Sequence, residues 1–129
     1  MKKFFTAAAA TLAFAAPAFA EGDAAEGEKA FKKCKSCHMI ESPEGETSMK
    51  GGKTVPNLYG VVRRVAGSAD FKYAPGLTEA GAAGFTWTEE AIAAYVADPK
   101  AWLSDNGYAA KSKMTFKLKK GGEDVAAYL

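Results

Sequence analysis

The stretch Cys34-Lys35-Ser36-Cys37-His38 decides how the rest of the chain is read. Two thiols three positions apart can each add to one vinyl group of a haem, while the adjacent imidazole is carried under the iron as an axial ligand. The pentapeptide therefore predicts one covalently attached haem c, bonded through Cys34 and Cys37 with His38 on the metal. Two other readings of a Cys-x-x-Cys pair are weaker. A structural zinc wants four thiolate or imidazole ligands, and Cys34, Cys37 and His38 are the only Cys and His in the sequence. A redox dithiol of the thioredoxin kind ends a strand in a βαβ unit, but the flanks here read as helical and no alternating Val/Ile run precedes Cys34.

Residues 1–20 have the layout of an export signal. Lys2 and Lys3 form a basic start, an apolar run rich in Ala and Phe follows, and Ala18-Phe19-Ala20 supplies a small-x-small cleavage site before Glu21. The apolar run is shorter than the roughly 20 residues a membrane span needs, and Pro17 sits near its end. Cleavage after Ala20 is expected, with no span in the mature form and a Gram-negative periplasm as the destination. Removing residues 1–20 takes Lys2 and Lys3 from the 17 basic residues and leaves 15 against 15 acidic ones. A neutral mature chain gives no reason to expect nucleic-acid binding. Residues 21–129 are long enough for one domain, whose modest core a flat apolar macrocycle would enlarge.

The mature chain reads as helices joined by long loops, an all-α pattern. Asp23-Ala24-Ala25-Glu26 looks like a capping box, with Gly27 and Phe31 four apart on one face of a helix ending near Cys34. Residues 41–60, with Pro43, Gly45, Gly51, Gly52, Pro56 and Gly60, read as loop. A short helix is expected through Gly76–Ala80, stopped at Gly81. Thr88 is an N-cap with Glu89 and Glu90 in the first turn, and Ile92, Tyr95 and Val96 form an apolar face until Asp98-Pro99. A further turn or two holds Trp102 and Leu103, and a last helix from Gly122 places Val125, Tyr128 and Leu129 on one side. No strand-like alternation of useful length and no repeat is visible.

At these residues the chain resembles the class I c-type cytochromes, and within them the bacterial cytochrome c2 group. The resemblance covers essentially all of residues 21–129. It is carried by the Cys34–His38 motif, Gly27 and Phe31, Thr54-Val55-Pro56-Asn57-Leu58-Tyr59-Gly60, Phe85-Thr86-Trp87-Thr88-Glu89-Glu90 and Lys113-Met114-Thr115-Phe116-Lys117. It implies the class I cytochrome c fold, with short helices and long loops wrapped around one haem. A sixth ligand of thioether sulfur suits a haem that shuttles electrons. Met39 adjoins His38 and cannot easily reach the opposite haem face, whereas chain length leaves Met49 and Met114 both open. The resemblance favours Met114. It also implies that the Pro56 carbonyl accepts from the His38 ring, that Arg64, Tyr73 and Trp87 approach the haem propionates, and that Gly27 and Phe31 pack on Tyr128. Arg63 departs from the pattern by standing where many relatives have Gly, which raises a question of local backbone geometry. The last helix is about two turns long, shorter than is usual in the family.

Lys111, Lys113, Lys117, Lys119 and Lys120 fall within one acid-free stretch, while Asp23, Glu26 and Glu28 cluster near residue 21. With Met114 on iron, those lysines would ring the haem edge and steer an acidic redox partner. The expectation is a monomeric, soluble periplasmic carrier. It would take an electron from a quinol-oxidising cytochrome bc complex and deliver it to a photosynthetic reaction centre or terminal oxidase. The contrasting reading is a peroxidase-like haem enzyme, which needs an open iron site and usually a distal acid–base group that no second His here supplies. A haem domain of a larger oxidoreductase is the third reading.

Overall fold

A computed structural model describes residues 22–129, so the expected signal at residues 1–20 lies outside the described residues. The architecture is all-α with one minimal hairpin. The elements are α1 (Ala24–Phe31), β1 (Ile40–Glu41), β2 (Thr47–Met49), α2 (Pro75–Ala82), α3 (Glu89–Ala97), α4 (Pro99–Asp105) and α5 (Gly122–Tyr128). α5 packs against both α1 and α3, and α4 packs on α3.

The start of α1 shows how a local signal is partly overruled. Asp23 caps the helix, its Oδ1 accepting from the Ala25 and Glu26 amides at 2.9 and 3.3 Å. The other half of the expected capping box is missing, because the Asp23 N–H donates to Oδ1 of Asp124 in α5 at 2.8 Å and Glu26 turns to Lys29. Tertiary contact has taken the donor that the box would use. Gly27 is required at the α1–α5 crossing, since a Cβ there would sit 1.8 Å from the Asp124 carbonyl oxygen. Phe31, fully buried, meets the Tyr128 ring at 5.9 Å, as the resemblance implied. Truncating such a side chain to Ala costs about 3–5 kcal/mol.

Thr88 caps α3 as expected, its hydroxyl accepting from the Ala91 amide at 3.1 Å. Asp98 then ends α3 and caps α4, its carboxylate accepting from Ala101 N–H at 3.1 Å. Two boundaries differ from the sequence reading. α2 does not stop at Gly81 but runs to Ala82, and the chain leaves through Gly84 at φ 78°. Gly81 serves packing instead, because a Cβ there would come within 2.3 Å of the Ala66 carbonyl oxygen. Residues 40–49, read as loop after Ile40, contain the antiparallel pair β1–β2. Segments of two and three residues are too short for alternation to register in the sequence.

The core has two parts. Trp87, Tyr95 and Trp102 form an aromatic cluster with Phe85 and Tyr108, with centroid separations from 5.1 Å for Phe85–Trp102 to 6.3 Å for Trp102–Tyr108. Phe31, Ile40, Leu118 and Val125 make the second, on which Met49 packs.

Candidate cofactor site

The Cys34–His38 turn prolongs α1 by main-chain bonds, Cys34 N–H to Phe31 at 2.7 Å and His38 N–H to Cys34 at 2.9 Å. Both cysteines are free thiols, Cys34 half-buried and Cys37 exposed. Burial, then the neighbouring Cys37, pushes the Cys34 thiol up from its ordinary range. His38 is held from the side, with its Nδ1 and the Pro56 carbonyl oxygen 2.7 Å apart. A carbonyl can only accept, so Nδ1 carries the proton and Nε2 presents a lone pair. Burial lowers the imidazole pKa against the opposing effect of that hydrogen bond, favouring the neutral ring a metal needs.

These groups open onto a cavity of about 320 Å³. It is lined by Cys34, Cys37, His38, Pro56, Arg64, Tyr73, Trp87, Lys111, Lys113 and Met114, so ten of the residues named from sequence share one wall system. Lys117, Lys119 and Lys120 are not in that lining, and neither Met39 nor Met49 is. Sequence reasoning missed Leu77, Ile92, Val96 and Phe116, apolar lining whose only signal was hydrophobicity shared with the core.

Relatives of known kind decide what such a cavity is for. No family model matches the chain. It is 59% identical over 133 residues to cytochrome c2 of Rhodobacter capsulatus, covering all of this chain and 96% of that one. It is 52% identical over 133 residues to cytochrome c-550 of Paracoccus denitrificans, covering 98% and 84%. The solved structure of the Rhodobacter capsulatus cytochrome c2 matches with a TM-score of 0.80 at 58% identity, covering 83% of this chain and 95% of that one. The chain belongs to the class I c-type cytochromes, in the cytochrome c2 group. It is a haem electron carrier rather than an enzyme, with one covalently bound haem c.

The residues present fit a haem of the cytochrome c2 kind. Two free thiols and an imidazole with an unused nitrogen meet a largely apolar cavity, and the indole N–H of Trp87 has no hydrogen-bond partner among the described residues. Trp87 is at once core and lining, 6% exposed and 5.2 Å from Tyr95. Arg64 is tied by Nη1 to the carbonyls of Asn57 at 3.0 Å and Tyr59 at 3.4 Å, which keeps a half-buried guanidinium beside the cavity. Burial pushes its pKa down and that of Tyr73 up, each opposed by the other group.

The segment bearing Met114 has no regular structure and is fastened by side chains. The Ser112 hydroxyl accepts from the Met114 amide at 3.1 Å and bonds the buried Tyr95 hydroxyl on α3 at 2.7 Å. Glu79 on α2 accepts from the Ala109 amide at 2.7 Å, and Leu118 N–H donates to Val96 at 2.8 Å. Two of the five lysines expected to face a partner are engaged. Lys117 pairs with Asp98 at 3.1 Å, and Lys113 Nζ donates to the Lys72 carbonyl. Lys111, Lys119 and Lys120 are exposed, with no ion pair among the described residues.

Proposed function

We propose that residues 21–129 are the mature protein, freed of a signal at 1–20, and act as a soluble, monomeric single-haem shuttle in a periplasm. The route is from a quinol-oxidising cytochrome bc complex to a photosynthetic reaction centre or terminal oxidase. One observation carries this reading: the Cys34–His38 turn and Met114 line the same cavity in a chain of the cytochrome c2 group. Among the described residues, no helix is long and apolar enough to cross a membrane.

The haem supplies the Fe(II)/Fe(III) couple. Cys34 and Cys37 would bind it covalently, and His38 Nε2 and the Met114 sulfur would hold its iron. The Pro56 carbonyl fixes the imidazole by accepting a hydrogen bond from its Nδ1–H, which also raises the basicity of the ring as a ligand. Arg64, Tyr73 and Trp87, which line the same cavity, would hold the haem propionates. Lys111, Lys119 and Lys120 steer an acidic partner, with Lys117 contributing what its pairing with Asp98 leaves.

Substituting the two candidate methionines separately tests the reading. Met114→Ala lowers the reduction potential and lets carbon monoxide bind readily, while Met49→Ala leaves both nearly unchanged. Reversed roles for the two substitutions overturn the ligand assignment. A mature mass without haem overturns the carrier.

A further inference from the structure

Lys113 differs from its neighbours in having a destination within its own chain. Its Nζ donates to the main-chain carbonyl of Lys72, 41 residues away in sequence, and lies 5.0 Å from the centroid of the Phe71 ring. Phe71 in turn meets Tyr73 edge-on at 5.0 Å. Phe71, Tyr73, Lys113 and Met114 all line the cavity, so this side chain ties together two segments of its wall. Just beyond residue 74, α2 adds two further ties to the Met114 segment, Gly76 N–H to the Lys111 carbonyl at 3.1 Å and Ala109 N–H to the Glu79 carboxylate at 2.7 Å.

Ordering a lysine side chain sacrifices up to about 2 kcal/mol of rotamer freedom. An exposed lysine therefore stays in one place only where several attractions converge. Here a charge-assisted hydrogen bond and a ring face coincide on one ammonium. We propose that Lys113 is a latch, a positioning residue that holds the Met114 segment against residues 71–74 and restricts the access of small ligands to the cavity. The latch rests on the reading of Met114 as the axial ligand. It assigns Lys113 a duty inside the molecule, in place of the docking role expected from its position in the lysine run.

Lys113→Met keeps an apolar stem against Phe71 but removes donor and charge, whereas Lys113→Arg keeps both. The measurements are the rate at which imidazole binds the ferric holoprotein and the backbone amide exchange of residues 71–74 and 111–116. Lys113→Met should bind imidazole about fivefold faster and exchange faster in both segments, with Lys113→Arg close to wild type. The latch is overturned if Lys113→Met matches wild type in imidazole binding and exchange while its partner association slows, the mark of a docking charge. If Met114→Ala leaves imidazole binding unchanged, the ligand assignment fails, and amide exchange in Lys113→Met then decides the latch by itself.

Discussion

The main-chain bonds of Cys34, Cys37 and His38 reach no more than four residues along the sequence, continuing the winding of α1, with a further tie from the His38 ring to Pro56, 18 positions away. Met114 lies in a segment without helix or strand between Gly107 and Gly121, fastened by bonds to residues 17 to 41 positions away. Tyr95, Glu79, Lys72 and Asp98 each hold one point of it. The two sides of the cavity thus differ in kind. Local bonds persist as long as their helix does, while a segment pinned by scattered side chains loses order one pin at a time. On the proposed reading, the side that would anchor the cofactor is the firmer and the Met114 side the softer.

The largest expected effect attacks the side that looks self-sufficient. Gly51 lies against the attachment turn so closely that a Cβ would fall 1.8 Å from the His38 carbonyl oxygen and 2.7 Å from that of Lys35. Gly52 N–H donates to the same Lys35 carbonyl at 2.9 Å. Main-chain atoms cannot swing aside as a flexible side chain would, so Gly51→Ala should destabilise the holoprotein by about 3 kcal/mol or more. Urea unfolding measures this. A loss below about 1 kcal/mol would mean that the 51–52 segment yields easily and that the turn stands alone.

The same contrast explains what the sequence disclosed. The Cys34–His38 motif, the Thr88 cap and the Asp98-Pro99 break are short-range patterns legible in the sequence alone, whereas the Phe31–Tyr128 pairing, 97 positions apart, was implied only by resemblance. The cavity also gathers Pro56, Arg64, Tyr73 and Trp87, which came from resemblance because nothing in their spacing brings them together. The pins of the Met114 segment were invisible. Ser112 and Tyr95 are 17 residues apart with no shared pattern, and Lys113 is indistinguishable by composition from the lysines around it. The run from Lys111 to Lys120 looked like one uniform patch, yet Lys113 and Lys117 have partners within the chain. The Asp23 box was legible but incomplete, since Asp124, 101 residues away, claimed its amide.

An intermediate effect is expected where the softer side is pinned to α3. Ser112→Ala leaves the buried Tyr95 hydroxyl and the Met114 amide without their partner, a cost of about 1–2 kcal/mol. Burial raises the Tyr95 pKa, the Ser112 hydrogen bond opposes that shift, and Tyr73 adds to it. Because the folded value lies above the unfolded one, this contribution is whole below about pH 10 and is lost as pH rises beyond it. Ser112→Ala removes the opposing hydrogen bond and should steepen the alkaline loss, whereas Tyr95→Phe should flatten it. Urea midpoints measured at neutral and strongly alkaline pH compare them. Identical alkaline slopes in wild type and Tyr95→Phe would show that Tyr95 is not what the segment loses.

The smallest effect concerns Arg63, where local preference was surrendered to a distant contact. Among the described residues it alone, apart from glycines, has positive φ, at 71°. Its N–H donates to the Trp87 carbonyl at 2.7 Å, Trp87 returns a bond to the Arg64 carbonyl at 2.9 Å, and Ala66 N–H reaches Phe85 at 2.8 Å. This short ladder sets Arg64 and Trp87 beside the cavity, and the left-handed turn at Arg63 is its cost. A side chain in that conformation loses about 1–2 kcal/mol, part of which glycine recovers after its own greater entropy loss on folding. Arg63→Gly should therefore stabilise the protein by about 0.5–1 kcal/mol and raise its Tm by about 2–4 °C. Arg63→Ala retains a Cβ at the same φ and should gain nothing, which separates backbone strain from loss of the guanidinium. Equal gains from both substitutions would place the cost in the charged side chain and leave the turn itself unstrained.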